Sequence, residues 1–196
     1  VGCRSQAKSS DTVARLIHLV PGASVQPVVL DMASLASIRS FAASFISSGQ
    51  PLDLLINNAG VMALPRRATT ADGFELQFGT NHLGHFALTG LLVPAMLRAT
   101  QPRVITVSSI AHKKAKMDFS DLQGERSYNP WPAYNQSKLA NLLFALELDR
   151  RAKAQHSKLT STAVHPGVAK TSIVSNGPGS SGLKGKMLLL LGGLFM

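Results

Sequence analysis

Tyr134 and Lys138 stand four residues apart in a stretch with helical periodicity, so the two side chains share one helix face. An ammonium beside a phenol favours the phenolate. The spacing therefore predicts a Tyr134 pKa drawn below its usual value of about 10. A phenol tuned in that way can give or take a proton near neutral pH. Ser109 ends a short apolar run upstream of that helix, where its hydroxyl could hold a carbonyl oxygen. Asn81 sits inside Thr80-Asn81-His82-Leu83-Gly84-His85-Phe86, a helical stretch in which asparagine is a poor resident. Taken singly, each has a plain structural alternative: a solvated helix pair, a strand-end turn, a kink beside Gly84. Together they describe a proton-transfer site, provided the fold brings them together.

The elements that would have to do so alternate between two periods. Ser9 to Val20 carries Val13, Leu16, Ile17 and Val20 on a helix face and stops at Pro21-Gly22. Val25 to Leu30 is rich in strand formers and ends at Asp31. Ser34 is placed to cap a helix whose apolar face is Leu35, Ile38, Phe41, Ala42, Phe45 and Ile46. Leu52 to Ile56 is almost continuously apolar, the pattern of a strand buried on both faces, and it runs into Asn57-Asn58-Ala59-Gly60. A mostly helical stretch covers Asp72 to Leu97, and Val104 to Val107 is a second buried strand. Ala111 to Pro132 reads as a loop-like insertion. Ala133 to Lys153 is helical, with Leu139, Leu142, Leu143, Leu146 and Leu148 in register. Leu159 to Val164 is a last strand, ending at His165-Pro166-Gly167, and Ser175 to Gly185 is a Gly- and Ser-rich loop. This alternation predicts an α/β fold, a Rossmann-type doubly wound parallel sheet in a single domain. Ligands of such sheets bind beyond the carboxyl ends of the strands, and Asp31, Asn57, Ser109 and Pro166-Gly167 all fall there.

Composition narrows the function classes. The chain has 196 residues, 45% of them apolar, enough for the core of one domain. A formal net charge of +10 suits an anionic partner: nucleic acid, an anionic membrane surface or a phosphorylated ligand. The densest basic groups are Lys113, Lys114 and Lys116, then Arg150, Arg151 and Lys153. Neither group has interleaved aromatics for base stacking, so both read as solvated surface and no nucleic-acid partner is expected. The lone Cys3 excludes an internal disulfide and suits a reducing, intracellular setting. His82, His85, His112 and His165 lack ligand spacing with acids or cysteine, so no metal is expected. The chain opens on Val1-Gly2-Cys3-Arg4, which reads as the end of a strand. It closes on the apolar run Met187 to Met196, half of the roughly twenty residues a bilayer crossing takes. The expectation is that both ends are cut, the last run being the start of a lid or membrane-dipping helix.

The constellation resembles the short-chain dehydrogenase/reductase family. Asn57-Asn58-Ala59-Gly60 is similar to its Asn-Asn-Ala-Gly strand-end motif, and Tyr134 with Lys138 to its Tyr-x-x-x-Lys. Ser109 in Val107-Ser108-Ser109 matches the active-site serine, Asn81 the fourth member of the tetrad, and Pro166-Gly167-Val168-Ala169-Lys170-Thr171 the Pro-Gly-x-x-x-Thr segment near the nicotinamide. The likeness runs from Val1 to about Ser175. Thr80 to Phe86, Ser108 to His112, Asp121-Leu122, Ser137 to Asn141 and Val164 to Val168 resemble the retinol dehydrogenase-like branch, which includes WW-domain oxidoreductases and plastid relatives.

The resemblance implies roles. Tyr134 would be the acid/base, Lys138 would lower its pKa and hold the nicotinamide ribose, Ser109 would polarise the carbonyl, and Asn81 would anchor a relay water. Arg4, where the family reads the adenosine ribose, favours the 2′-phosphate of NADP over NAD, because no acid lies between Val1 and Ser10. Asp31 would meet the adenine; Asn57, Ala59 and Gly60 the adenosine side; Pro166, Gly167, Val168 and Thr171 the nicotinamide side. The substrate would be a small lipophilic carbonyl or alcohol, retinal among the options, and the compartment cytoplasmic or membrane-associated, in endoplasmic reticulum or plastid. The alternative is a non-catalytic interaction protein on the same fold. The sequence departs from the family in lacking the first strand, its Gly-rich turn and the C-terminal end, so residues 1–175 would form a partial cofactor-binding domain and 176–196 a loop with the start of an apolar segment. Activity is then expected of a longer parent protein.

Overall fold

Five short strands, all in parallel pairs, carry the architecture of the computed structural model, which describes residues 1–167. β1 (Gly2–Cys3) pairs with β2 (Val28–Val29), and α1 (Gln6–Leu19) connects them. β3 (Leu54–Asn57), β4 (Arg103–Val107) and β5 (Thr160–Val164) form a second sheet in that order, with Asn57 opposite Thr106 and Val107 opposite Val164. Strands alternate with helices throughout, so the predicted α/β class with a parallel sheet stands. Among the described residues no strand joins β1 to β3.

α2 (Leu35–Ser47) starts where the sequence places its cap: the Ser34 hydroxyl accepts from the Ser37 amide at 3.2 Å. Its Ile38 and Ala42 meet Leu88, Leu92 and Met96 of α4 (Gly84–Met96) and Val104 of β4 in the core. Each such side chain, fully buried, contributes roughly 1.5–3 kcal/mol. Gly84 is needed at this junction, because a Cβ there would lie 2.4 Å from the Met32 carbonyl oxygen.

Three expectations are corrected. The run Leu52 to Ile56 is buried on one face only. Asn57 and Thr106 turn inward, whereas Leu54 and Ile56 on the other face stay exposed, Ile56 by 54%, because α4 and α5 cover one side of this sheet. The helical stretch expected from Asp72 begins at Leu76. The Glu75 carboxylate caps a short turn, α3 (Leu76–Phe78), by accepting from the Gln77 and Phe78 amides at 2.9 and 2.6 Å. A wide π-helical turn, Gly79–Leu83, follows before α4. α5 (Pro130–Ala154) begins three residues earlier than predicted, because Asn129 caps it and Pro130 fits its first turn. Its buried side is small and polar: Ser137, Lys138, Ala140, Asn141 and Ala145. Leu143 and Leu146 of the apolar pattern are exposed, Leu146 by 59%.

Candidate active site

The parallel pairing puts the carboxyl ends of β3, β4 and β5 on one edge, and α5 packs against β4 and β5 below it. Past β4 the chain makes two serines with opposite fates. The Ser108 hydroxyl is buried and donates to the Lys138 carbonyl at 2.7 Å. Ser109 caps a 3-10 turn, Ile110–Lys114, accepting from the Ala111 amide at 3.2 Å, and its hydroxyl lies near the Tyr134 phenol. Tyr134 and Lys138 lie one turn apart on α5, with the Lys138 ammonium 5.8 Å from the Tyr134 ring centre.

The electrostatics of this pair differ from the expectation. Burial pushes the Tyr134 phenol above its ordinary value, and the nearby Ser109 hydroxyl only partly offsets that. Lys138 does not bring it down. The ammonium donates to the Val107 carbonyl at 3.0 Å, and burial lowers its own pKa to about 8. No carboxylate pairs with it among the described residues. Tyr134 therefore holds its proton at neutral pH.

Asn81 joins the same corner, but its side chain is occupied. Its amide oxygen accepts from the Val61 amide at 2.8 Å, and its nitrogen donates to the Val61 carbonyl and the Ser137 hydroxyl, both at 2.9 Å. This pairing fixes the turn after β3 against α5. Gly60 lies between them: a Cβ there would come 2.9 Å from Asn81 Oδ1 and 3.8 Å from Lys138 Nζ. The Asn81 carbonyl is held by His85, whose Nδ1 donates to it at 2.9 Å, and burial depresses that imidazole to about 4, so it is neutral.

Gln77, His85, Ser137 and Asn141 belong to this framework, although the sequence reading gave them no role in the site. Gln77 donates to the Tyr128 hydroxyl and the Pro130 carbonyl at 2.9 and 3.0 Å, tying down the start of α5. Asn141 shares the Val107 carbonyl with Lys138, at 3.2 Å. Their signal is spacing. Gln77, Asn81 and His85 recur every four residues, as do Ser137 and Asn141, so two polar helix faces meet.

The remaining sequence-predicted residues are more dispersed. The Asn57 side chain is buried and donates to the Thr89 hydroxyl at 3.0 Å, which leaves its main chain to meet a ligand. Ala59 is exposed, and Pro166 and Gly167 are exposed beyond β5. Arg4, exposed, and Asp31, half-buried, lie at the carboxyl ends of β1 and β2 in the other sheet. The Asp31 carboxylate accepts from the Ala33 amide at 2.9 Å. Val168 and Thr171 lie outside the described residues.

An exposed backbone at Ala59, followed by a glycine whose missing Cβ spares room beside Asn81 and the buried Lys138 ammonium, fits a nucleotide cofactor laid along this edge.

The family model described as short chain dehydrogenase matches residues 1–178. Human (Homo sapiens) retinol dehydrogenase 13 is 53% identical over 145 residues, which is 74% of this chain and 43% of that protein. Retinol dehydrogenase 12 of Mus musculus is 44% identical over 176 residues, 90% of this chain and 55% of that protein. The chain thus spans about half the length of the curated relatives it matches. A crystal structure of an uncharacterized protein from Mycobacterium Paratuberculosis superposes with a TM-score of 0.75 at 44% identity, over 89% of this chain and 60% of that one.

Proposed function

The chain belongs to the short chain dehydrogenase family, in its retinol dehydrogenase-like branch, and from that premise we propose that it interconverts a lipophilic aldehyde or ketone and the corresponding alcohol, with NADP(H) as hydride carrier. The observation that carries the reading is the gathering of the Ser109 hydroxyl, the Tyr134 phenol and the Lys138 ammonium at the carboxyl edge. In the reductive direction the substrate carbonyl oxygen sits between the Ser109 hydroxyl and the Tyr134 phenol. Ser109 donates a hydrogen bond that polarises it. Tyr134, protonated at neutral pH, gives up its proton as the oxygen becomes an alkoxide. The Lys138 ammonium stabilises the phenolate left behind. Asn81 serves by clamping Val61, which keeps Gly60 and Lys138 in place. The nicotinamide, when bound, supplies the hydride.

Arg4 would take the adenosine 2′-phosphate and Asp31 the adenine. The backbone of Asn57, Ala59 and Gly60 would line the adenosine side, Lys138 the nicotinamide ribose, and Pro166, Gly167, Val168 and Thr171 the nicotinamide side. The lipophilic substrate class rests on the names of the relatives and on the apolar Ile110 and Trp131 flanking Ser109 and Tyr134. The test is loss of reduced-cofactor absorbance with retinal and simpler aldehydes, using protein given a strand and Gly-rich turn ahead of Val1. NADPH should outperform NADH, and Arg4→Ala should narrow that difference. Equal use of both cofactors before and after the substitution would remove Arg4 from the account.

A further inference from the structure

The connection from β4 to α5, together with the first turn of α5, carries an unusual surface. Ile110, Phe119 and Trp131 are its exposed large apolar side chains, Phe119 by 78% and Trp131 by 42%. Between the first two lie Lys113, Lys114 and Lys116, all exposed and without an ion-pair partner among the described residues. The acids of the same connection are engaged elsewhere. Asp118 and Asp121 lie 4.0 and 3.8 Å from Arg126, and Glu125 lies 3.8 Å from Arg67. The surface frames the site. Ser109 caps the turn that holds Ile110 and the first two lysines, the Asp118 amide donates to Gln136 of α5, and Trp131 stacks edge-on to Tyr134 at 6.1 Å.

We propose that this surface docks on an anionic bilayer, with Phe119, Trp131 and Ile110 entering the headgroup region and the three lysines meeting lipid phosphates and carboxylates. Water-exposed aromatics and an aliphatic beside unpaired lysines are the composition of an interfacial lipid contact, where apolar side chains sink and cations stay at headgroup level. Residues 168–196 add three lysines and no acid, and the whole chain carries +10. A nucleic acid would need a longer basic track than lysines spanning four positions. Docking here would turn the mouth of the Ser109–Tyr134 site toward the membrane.

Trp131 is the only tryptophan, so its emission reports the contact directly. The 196-residue chain is titrated with phosphatidylcholine vesicles, with and without phosphatidylserine, and followed by Trp131 fluorescence and co-sedimentation. The expected result is a blue shift and sedimentation with the anionic vesicles only, both weakened by salt. The triple change Lys113→Gln, Lys114→Gln and Lys116→Gln should weaken partitioning roughly 100-fold. Phe119→Ser should weaken it about tenfold. Circular dichroism identical to wild type shows that each variant is folded. No binding to anionic vesicles, equal binding to neutral ones, or binding untouched by both variants would overturn the proposal, as would retention on DNA or an acidic polypeptide without vesicle binding. Neither cofactor nor substrate is in the assay, so this outcome and the catalytic one are independent.

Discussion

The two sheets of this molecule are built to different standards. In the unit of β1, α1 and β2 the strands pair over two residues each, and α1 buries only Ser9 and Val13 while Ile17 and Leu19 face outward. In the unit of β3, β4 and β5, four and five residues pair in each ladder, and the core from Ile38 through Leu92 and Met96 to Val104 and Leu159 closes one face of the sheet. The residues proposed to handle the proton all stand on the second unit, and those proposed for the adenosine end, Arg4 and Asp31, on the first. Chemistry needs side chains held to a fraction of an ångström, and only a well-packed support provides that. Ribose recognition by an exposed arginine tolerates a looser one.

The sharpest way to test this contrast is Lys138→Met. It should lower turnover about 100-fold or more, because the phenolate loses its counter-charge. It should nonetheless leave the chain at least as stable at neutral pH, since a buried, carboxylate-free ammonium is replaced by an apolar group of similar length. The pH dependence gives the sign. Below about pH 8 folded and unfolded chains both carry the ammonium. Above it the folded chain sheds the proton while the unfolded one keeps it up to the ordinary lysine value, so stability rises through that window. Denaturant melts across this range should show the rise in wild type and not in Lys138→Met, and activity should fall over the same window as the charge is lost.

Core truncation comes next. Leu92→Ala should cost about 2–5 kcal/mol in a urea melt, through the cavity it leaves. Ile17→Ala, 45% exposed on α1, should stay within about 0.5 kcal/mol. Equal costs would erase the distinction between the units. Gly60→Ala probes the joint between β3 and α5. The added methyl meets Asn81 Oδ1, and a displacement near 1 Å there is expected to cost about 100-fold in turnover while far-ultraviolet circular dichroism is unchanged. The smallest effect is Ser34→Ala, which removes the α2 cap and should cost about 1 kcal/mol in the same melt.

What was legible in the sequence follows the same division. Helix positions and the α/β alternation read well, because periodicity and caps are local: Ser34 caps α2 as the pattern says. The four positions proposed as a tetrad from motif spacing, Asn81, Ser109, Tyr134 and Lys138, come together at one corner of the fold. Burial did not read. Leucine spacing on α5 points to Leu143 and Leu146, yet the buried face is Ser137, Lys138 and Asn141, because that face meets the polar stripe of Gln77, Asn81 and His85 rather than a hydrophobic layer. The direction of the Tyr134 shift was missed for a related reason. Spacing gives the distance to Lys138, but desolvation and the Val107 carbonyl that accepts the ammonium's hydrogen bond are tertiary facts.

The central claim is that Tyr134 delivers the proton in carbonyl reduction. It is tested most directly by single-turnover reduction of a retinal-type aldehyde by NADPH-loaded protein, supplied with the Gly-rich turn, comparing wild type with Tyr134→Phe at matched cofactor occupancy. The account predicts a loss of about 100- to 10,000-fold in the phenylalanine variant with NADPH binding unchanged. Equal rates in the two proteins, or no reduction by a wild-type chain that binds NADPH, would contradict it.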